Sequence, residues 1–310
     1  MVKYKFNDEV AKFLDDLKAL GGLQIETLTP IEARKMNLME MPSPEVKLVV
    51  EIGADGPFGP IPIYNYTPLN APKDKPLPTI VYFHGGGYVA GSPETHHNML
   101  IKLAELSSIQ IFAIDYSLSP ESNFPKAINE AVSSYNSLLE KGFNNENIFF
   151  GGDSAGGNLT LVSTLKLQEL NQKLPSKLFL LSPWTDLTGE GRSIKENSKS
   201  DPYLSYDNWL NTSLSMQKTV KEWYAPNQDY KNPLISPVFA KYSNYPKTLI
   251  QVSDIEILYS DSLDLESKIK DGNNEVTLSV YNNLPHVWQI FGFLPEAKQA
   301  LKEIAYFLKN

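Results

Sequence analysis

The sequence predicts an α/β fold in which a mostly parallel sheet carries helices on both faces. Three observations lead there. From Leu77 onward, short runs of consecutive apolar residues alternate with longer segments of helical periodicity, the rhythm of β–α–β units. The runs are apolar throughout rather than at every second position, as in strands covered on both faces. The chain has 310 residues, 42% of them hydrophobic and 21% charged, enough for one large domain with a sizeable core.

The elements follow in order. Residues 7–20 carry Val10, Phe13, Leu14, Leu17 and Leu20 at helical spacing, and Gly21-Gly22 ends the pattern. A second helix is expected from Thr29-Pro30-Ile31-Glu32, with Thr29 as cap and Pro30 in the first turn. Residues 1–45 thus read as an N-terminal appendage, a lid over a site or a dimer contact. Residues 46–51 and 61–66 flank the turn-rich Gly53-Ala54-Asp55-Gly56-Pro57 and predict an antiparallel pair. Pro62 lacks an N–H, which predicts its strand at a sheet edge. The proline- and lysine-rich stretch 68–78 reads as an exposed linker.

Strands are then expected at 79–83, 110–114, 147–150, 177–181, 248–252 and 276–281. Helices are expected at 94–107, 125–141, 155–173, 260–270 and 295–308. The rhythm breaks at about 189–232, a polar insertion with a helical piece around 207–222. Such an insertion is expected to fold over the carboxyl ends of the strands, within a main domain running from 46 to 310.

Composition narrows the function. A net charge of −8 without any basic run argues against a nucleic-acid or anionic-membrane partner. There is no cysteine, so disulfides, thiolate metal sites and a cysteine nucleophile are excluded. The N-terminal residues show no signal-peptide pattern, and no apolar run has the length of a membrane span. A cytoplasmic protein without stable membrane insertion is the expectation. None of the four histidines, His84, His96, His97 and His286, stands at metal-ligand spacing with a carboxylate, so no metal is expected.

The chemistry centres on Gly152-Asp153-Ser154-Ala155-Gly156, which fits G-x-S-x-G directly after an apolar run and before a helix. A serine on a sharp strand-to-helix turn needs glycines on either side for room. The helix that follows aims its free N–H groups at charge developing beside the serine. Acyl transfer at such a serine also needs oxyanion donors, a base and an orienting acid. The loop His84-Gly85-Gly86-Gly87-Tyr88 follows a strand, and its side-chain-free backbone can turn the N–H groups of Gly85, Gly86 and Gly87 toward an oxyanion. Ala155 supplies a further N–H. His286 is the one histidine after the serine, in a loop beyond a strand, as the order Ser…acid…His requires. His84 reads as a structural part of the glycine loop, and His96 and His97 as locally hydrogen-bonded in the following helix. The acid belongs in the loop after 248–252, where Asp254 and Glu256 both qualify. Either side chain can reach an imidazole.

These motifs, together with Gly91-Ser92-Pro93-Glu94-Thr95-His96 and Asp115-Tyr116-Ser117-Leu118-Ser119-Pro120-Glu121, make the chain from about Leu48 onward resemble the hormone-sensitive-lipase-like group of α/β-hydrolase esterases. The resemblance implies an α/β-hydrolase fold with an eight-stranded sheet and a helical cap built from residues 1–45 and the 189–232 insertion. It also implies cofactor-independent hydrolysis of short- to medium-chain acyl esters. Carried over, Ser154 is the nucleophile, His286 the base, and Gly86, Gly87 and Ala155 the oxyanion donors. The family's acid lies two residues before a leucine; Leu258 then marks Glu256, 30 residues before His286 (286 − 256), with Asp254 the alternative. The family usually has arginine where this chain has Ser117, a departure that bears on local packing rather than on activity. Tyr88, Tyr203, Trp209 and Phe13 are the expected acyl or alcohol pocket residues. The resemblance also suggests a homodimer. An amidase or lactonase with the same triad, or a receptor on the same fold, is the rival reading.

Overall fold

The computed structural model describes residues 12, 15, 16, 46–56, 59–69, 71, 77–204 and 216–310. Apart from residues 12, 15 and 16, which are helical, the N-terminal helices expected at 7–20 and from Thr29 lie outside the described residues, as does most of the helical piece at 207–222.

One sheet runs through the protein. Its strands are β1 (Val46–Gly56), β2 (Gly59–Pro68), β3 (Thr79–Phe83), β4 (Gln110–Ile114), β5 (Ile148–Asp153), β6 (Lys177–Leu181), β7 (Lys247–Ser253) and β8 (Val276–Tyr281). They lie in the order β1-β2-β4-β3-β5-β6-β7-β8. The β1–β2 and β2–β4 pairs are antiparallel, and all the others are parallel. The parallel strands are joined through α1 (His97–Ser107), α2 (Lys126–Glu140), α3 (Ala155–Glu169) and α5 (Tyr259–Asp271), with α4 (Arg192–Glu196) in the long insertion and α6 (Pro295–Lys309) closing the chain.

Alternation along β3 shows why both faces need helices. Val81 and Phe83 join a core with residues of α2, α3 and α5, including Ala131, Leu159, Val162 and Leu265. Ile80 and Tyr82 point the other way, to Leu100 and Ala104 of α1 and Leu301 and Ile304 of α6. Both sets are fully buried, so the strand reads as a continuous apolar run. The helix α3 lies so deep that the hydroxyls of Thr160, Ser163 and Thr164 are satisfied within the helix. Thr160 donates to the Gly156 carbonyl at 2.9 Å, Ser163 to Leu159 at 2.6 Å and Thr164 to Thr160 at 2.8 Å.

Three details depart from expectation. The strand expected to stop at Phe150 continues as β5 through Gly151 and Gly152 to Asp153. The glycines do not break it. They make room for close packing: a Cβ on Gly151 would stand 2.0 Å from the Phe179 ring of β6. Secondly, Pro62 is not on an edge strand, since β1 lies outside β2. Its place is beyond the β2–β4 ladder, beside a register irregularity in β1, where a missing N–H is tolerated. Thirdly, the helix expected from Glu94 opens as a 3₁₀ turn, Glu94–His96, before α1 begins. Ser117 anchors its segment in its own way, with its N–H and its hydroxyl each donating to the Glu130 carboxylate at 2.7 Å.

Candidate active site

The parallel strands β3, β5, β6, β7 and β8 end on one rim, and the chemistry-bearing residues follow those ends. Ser154 comes directly after β5 with φ 51° and ψ −118°, a conformation that side chains rarely adopt and that costs about 1–3 kcal/mol. The surroundings enforce it. Its N–H donates to the Leu181 carbonyl at 2.8 Å, and its carbonyl accepts the Trp184 N–H at 3.0 Å. A Cβ on Gly156 would lie 2.0 Å from the Phe83 carbonyl oxygen, and one on Gly152 would lie 2.3 Å from that of Gly156. The G-x-S-x-G spacing is therefore the spacing of a contact: the turn presses against the end of β3. Ser154 itself stays partly exposed at the start of α3.

The glycine loop leaves the end of β3 through positive backbone angles, φ 114° at Gly86 and 63° at Gly87. Among the described residues no acceptor faces the N–H groups of Gly86, Gly87 or Ala155. These donors are what a tetrahedral oxyanion requires. Gly85 is different. Its N–H donates to Asp153 Oδ1 at 3.0 Å, which ties the loop down and removes Gly85 from the expected oxyanion donors. His84 stacks on Tyr116 with ring centroids 4.2 Å apart, and its Nδ1 lies 2.7 Å from the Gly85 carbonyl. Burial, with His96 adding to it, pushes the His84 pKa down to about 3, so it is neutral. His97 lies 3.3 Å from the Tyr66 hydroxyl. His96 is not merely local, since its Nε2 reaches Asp153 Oδ2 at 3.2 Å.

Beyond β7, Glu256 is fully buried and its Oε2 lies 2.6 Å from His286 Nδ1. Its Oε1 accepts the Ser182 hydroxyl at 2.8 Å and the Ser253 N–H at 2.7 Å. Asp254 is turned elsewhere, accepting the Asn283 N–H at 2.8 Å. Because the carboxylate can only accept, Nδ1 of His286 carries the proton, and Nε2 is left as the basic nitrogen. Burial opposes charge on this imidazole. The hydrogen bond and charge of Glu256, with Asp201 and Asp153 beyond it, overcome that and raise its pKa above the usual 6.5. The next residue, Val287, has φ 51°, rare for a β-branched side chain, and its N–H donates to Ser182 Oγ at 3.3 Å.

Ser182, Asp201 and Asp153 were not singled out from the sequence. Ser182 follows β6 with φ 46° and bridges the acid and histidine loops. Its signal was position alone, one residue past an apolar run. Asp201 accepts the N–H groups of Tyr203, Leu204 and Ile257, joining the insertion to the acid loop. An aspartate accepting N–H groups two and three residues onward is a cap-like turn, and Asp201-Pro202 was its legible sign.

The expected pocket residues divide. The Tyr203 ring lies 6.3 Å from that of His286 and 6.0 Å from Phe291, which in turn lies 6.1 Å from Phe293. Phe293 is 58% exposed, so a line of aromatic rings runs from His286 to solvent. Tyr88 does not line an open pocket. It is buried in the core, stacked on Tyr224 at 3.8 Å, and its hydroxyl donates to Asn158 at 2.6 Å. Phe13 and Trp209 lie outside the described residues. The insertion does reach the glycine loop, since a Cβ on Gly87 would stand 3.8 Å from Thr219 Cγ2. Among the described residues no group of three or more histidines or carboxylates could hold a metal ion. No described helix is long and apolar enough to cross a membrane.

Comparison with known proteins places this geometry. A sequence model of the family described as alpha/beta hydrolase fold matches residues 80–290. An esterase of Acinetobacter venetianus is 34% identical over 229 residues, 74% of this chain and 73% of that protein. An acetyl-hydrolase of Streptomyces hygroscopicus is 31% identical over 233 residues, 75% of each. Among solved structures, EstE7, a hormone-sensitive-lipase homologue from a metagenome library, superposes with a TM-score of 0.84 at 32% identity, covering 99% of both chains. EstE5, solved from a crystal soaked in p-nitrophenyl butyrate, superposes with a TM-score of 0.88 at 28% identity over 98% of both. The chain belongs to the alpha/beta hydrolase fold family, among its hormone-sensitive-lipase-like esterases.

Proposed function

We propose that the protein is a serine carboxylesterase that hydrolyses short- to medium-chain acyl esters through an acyl-enzyme. The observation that carries this reading is the Glu256–His286 contact of 2.6 Å on the same rim as a strained Ser154 and three unpaired N–H donors. Ser154 Oγ attacks the ester carbonyl carbon while Nε2 of His286 takes the hydroxyl proton. The oxyanion that forms is held by the N–H groups of Gly86, Gly87 and Ala155, each donor worth about 3 kcal/mol of barrier. Collapse expels the alcohol, which receives the proton from His286, and leaves Ser154 acylated. Water then enters by the same route, again losing its proton to His286, and the acid departs. Glu256 keeps the imidazole in the required tautomer and stabilises its charged form.

The cap reading belongs to the same proposal. The insertion closes over the glycine loop, a reading supported by the approach of Thr219 to Gly87, and Tyr203 with Phe291 offers an aromatic wall beside His286. The relatives' own activities, as an esterase and an acetyl-hydrolase, agree with a small acyl group. The test is hydrolysis of p-nitrophenyl esters from acetate to decanoate by the wild type and Ser154→Ala. Activity in the wild type and its loss in the variant are expected. A wild type inactive on every chain length, or a variant of equal activity, would overturn the proposal.

A further inference from the structure

A second buried carboxylate–imidazole pair sits beside the nucleophile, and the reaction described above makes no use of it. Asp153, the residue before Ser154, is 3% exposed and its side chain leads toward the glycine loop. Its Oδ1 accepts the Tyr82 hydroxyl at 2.6 Å and the Gly85 N–H at 3.0 Å, and its Oδ2 faces His96 Nε2 at 3.2 Å. The loop rests directly on this carboxylate: a Cβ on Gly85 would stand 2.2 Å from Oδ2.

Hydrogen-bond direction decides the charge state of His96. Its Nδ1 lies 3.1 Å from the Ser92 carbonyl, which can only accept, and 2.9 Å from Thr95 Oγ1. The Thr95 hydroxyl directs its own proton at Ser92 O, 2.8 Å away, and accepts the Ser92 N–H. Nδ1 must therefore donate. Nε2 faces a carboxylate oxygen and must donate as well. An imidazole that donates from both nitrogens is an imidazolium. The other groups packed on it are compatible with that charge: Tyr82 is a neutral phenol, and His84, whose ring centroid is 5.9 Å away, is neutral. Burial works against charge on His96, yet the charge and hydrogen bond of Asp153 hold its pKa above the ordinary value.

We propose that Asp153 and His96 form a buried ion pair that positions the oxyanion loop against the nucleophile turn. Asp153 is covalently next to Ser154 and hydrogen-bonded to Gly85, so a single side chain sets the distance between the attacking oxygen and the N–H groups of Gly86 and Gly87. His96 in turn fixes the carboxylate from the start of α1. Neither residue touches substrate. Both act through the loop, and at a pH where His286 is neutral in every variant their effect falls on states in which an oxyanion exists.

The inference rests on the acyl-transfer reading, and its test separates the two. The wild type, Asp153→Asn, Asp153→Ala and His96→Gln are compared for kcat and KM on p-nitrophenyl butyrate. The same four proteins are compared for affinity toward an alkyl trifluoromethyl ketone, whose hemiketal oxyanion occupies the hole. Active-site titration corrects each for its folded fraction. Asp153→Ala should lower kcat on the order of 100-fold, the loss typical of one oxyanion donor. Its KM should stay within about threefold, and ketone affinity should fall in proportion to kcat. Asp153→Asn, which keeps an acceptor for Gly85 but not the charge, should fall between it and the wild type, as should His96→Gln. If Asp153→Ala does not fold, Asp153→Asn and His96→Gln decide by the same criteria. Variants whose corrected kcat stays within about threefold of the wild type, or whose kcat falls while ketone affinity does not, would overturn the inference alone. A wild type inactive on the ester sinks the acyl-transfer reading and this inference with it.

Discussion

Oε2 of Glu256 lies 2.6 Å from Nδ1 of His286, while Asp254, two residues earlier in the same loop, places its carboxylate 2.8 Å from the Asn283 N–H. The two acids therefore do different work. One faces an imidazole from a buried position, and the other caps the turn after β8. Glu256→Gln should lower kcat by about 10³- to 10⁴-fold, because an amide can face Nδ1 with its N–H₂ and favour the wrong tautomer. Asp254→Asn should leave kcat within about threefold. Steady-state kinetics on p-nitrophenyl butyrate check both, and the reverse ranking would reassign the acid.

The same contact predicts the pH profile. In the proposed reaction His286 acts as base only when neutral, and Glu256 raises its pKa above 6.5. As pH falls through that raised value the base form is lost, so the acid limb of kcat/KM should have its midpoint above 6.5. In Glu256→Gln the residual activity should show a limb moved to lower pH, since the charge that held the proton is gone. A profile with its midpoint well below 6.5 in the wild type would contradict this.

Gly156 carries no freedom to spare. A Cβ there would meet the Phe83 carbonyl at 2.0 Å and that of His84 at 2.5 Å, both backbone atoms at the root of the glycine loop. Gly156→Ala should cost several kcal/mol of stability, about 2–4 kcal/mol by analogy with other overpacked sites, and abolish esterase activity in what still folds. Gly292→Ala, where nothing lies within 4 Å of a new Cβ, should change stability by no more than about 0.5 kcal/mol. Thermal melts of the two variants provide the comparison.

Asp261 is a buried carboxyl whose pKa is pushed up to about 8 by desolvation, with the charge of Asp186 adding to it. It nevertheless accepts the N–H groups of Thr185 and Asp186 at 2.8 Å each, holding the loop after β6 to α5. A pKa raised on folding means that the protonated form favours the native state. That contribution is complete below the ordinary carboxylate pKa and is lost as pH rises through about 8. Relative to Asp261→Asn, the wild type should therefore lose at least ~1.4 kcal/mol between pH 4 and pH 9, the equivalent of one pKa unit. Denaturant melts at the two pH values measure it, and an unchanged difference would show that the two backbone N–H bonds keep the group ionised throughout.

Tyr203 and Phe291 should govern substrate preference rather than the chemical step. Replacing either with alanine removes a ring from the line that leads from His286 to the exposed Phe293. KM for aryl esters should rise by about 10-fold, on the order of 1–2 kcal/mol for a buried aromatic contact, while kcat changes little. A fall in kcat at constant KM would instead place these rings in the alignment of His286.

The parallel sheet and its helices were legible because burial on both faces writes itself as uninterrupted apolar runs, as in 79–83 and 177–181. Ser154, the glycine loop and His286 were legible because their backbone demands glycine or a fixed order along the chain. Glu256 needed the resemblance, since loop chemistry alone could not separate it from Asp254. What stayed hidden depends on tertiary distance. Asp153 and His96 stand 57 residues apart in sequence. Ser182 joins two loops that no local pattern connects. Gly85 looked like an oxyanion donor until Asp153 occupied its N–H. Tyr88 looked like a pocket aromatic, but its left-handed backbone turns the ring under the loop onto Tyr224.

Tyr88, Ser154, Ser182 and Val287 all hold positive φ angles, and all follow the carboxyl ends of β3, β5, β6 and β8. At the opposite rim, where the strands begin, positive φ falls mainly on asparagine (Asn171, Asn244 and Asn273, with Ser108), which tolerates it. Selection for heat resistance and selection for turnover will accordingly pull apart on the first rim and not on the second. A library screened only for thermal survival should accumulate asparagine or glycine at Ser182, together with loss of activity, and not at Tyr88, whose buried ring is worth more than the strain it carries. Engineering that confines its changes to the amino ends of the strands should raise the melting temperature and leave the reaction intact.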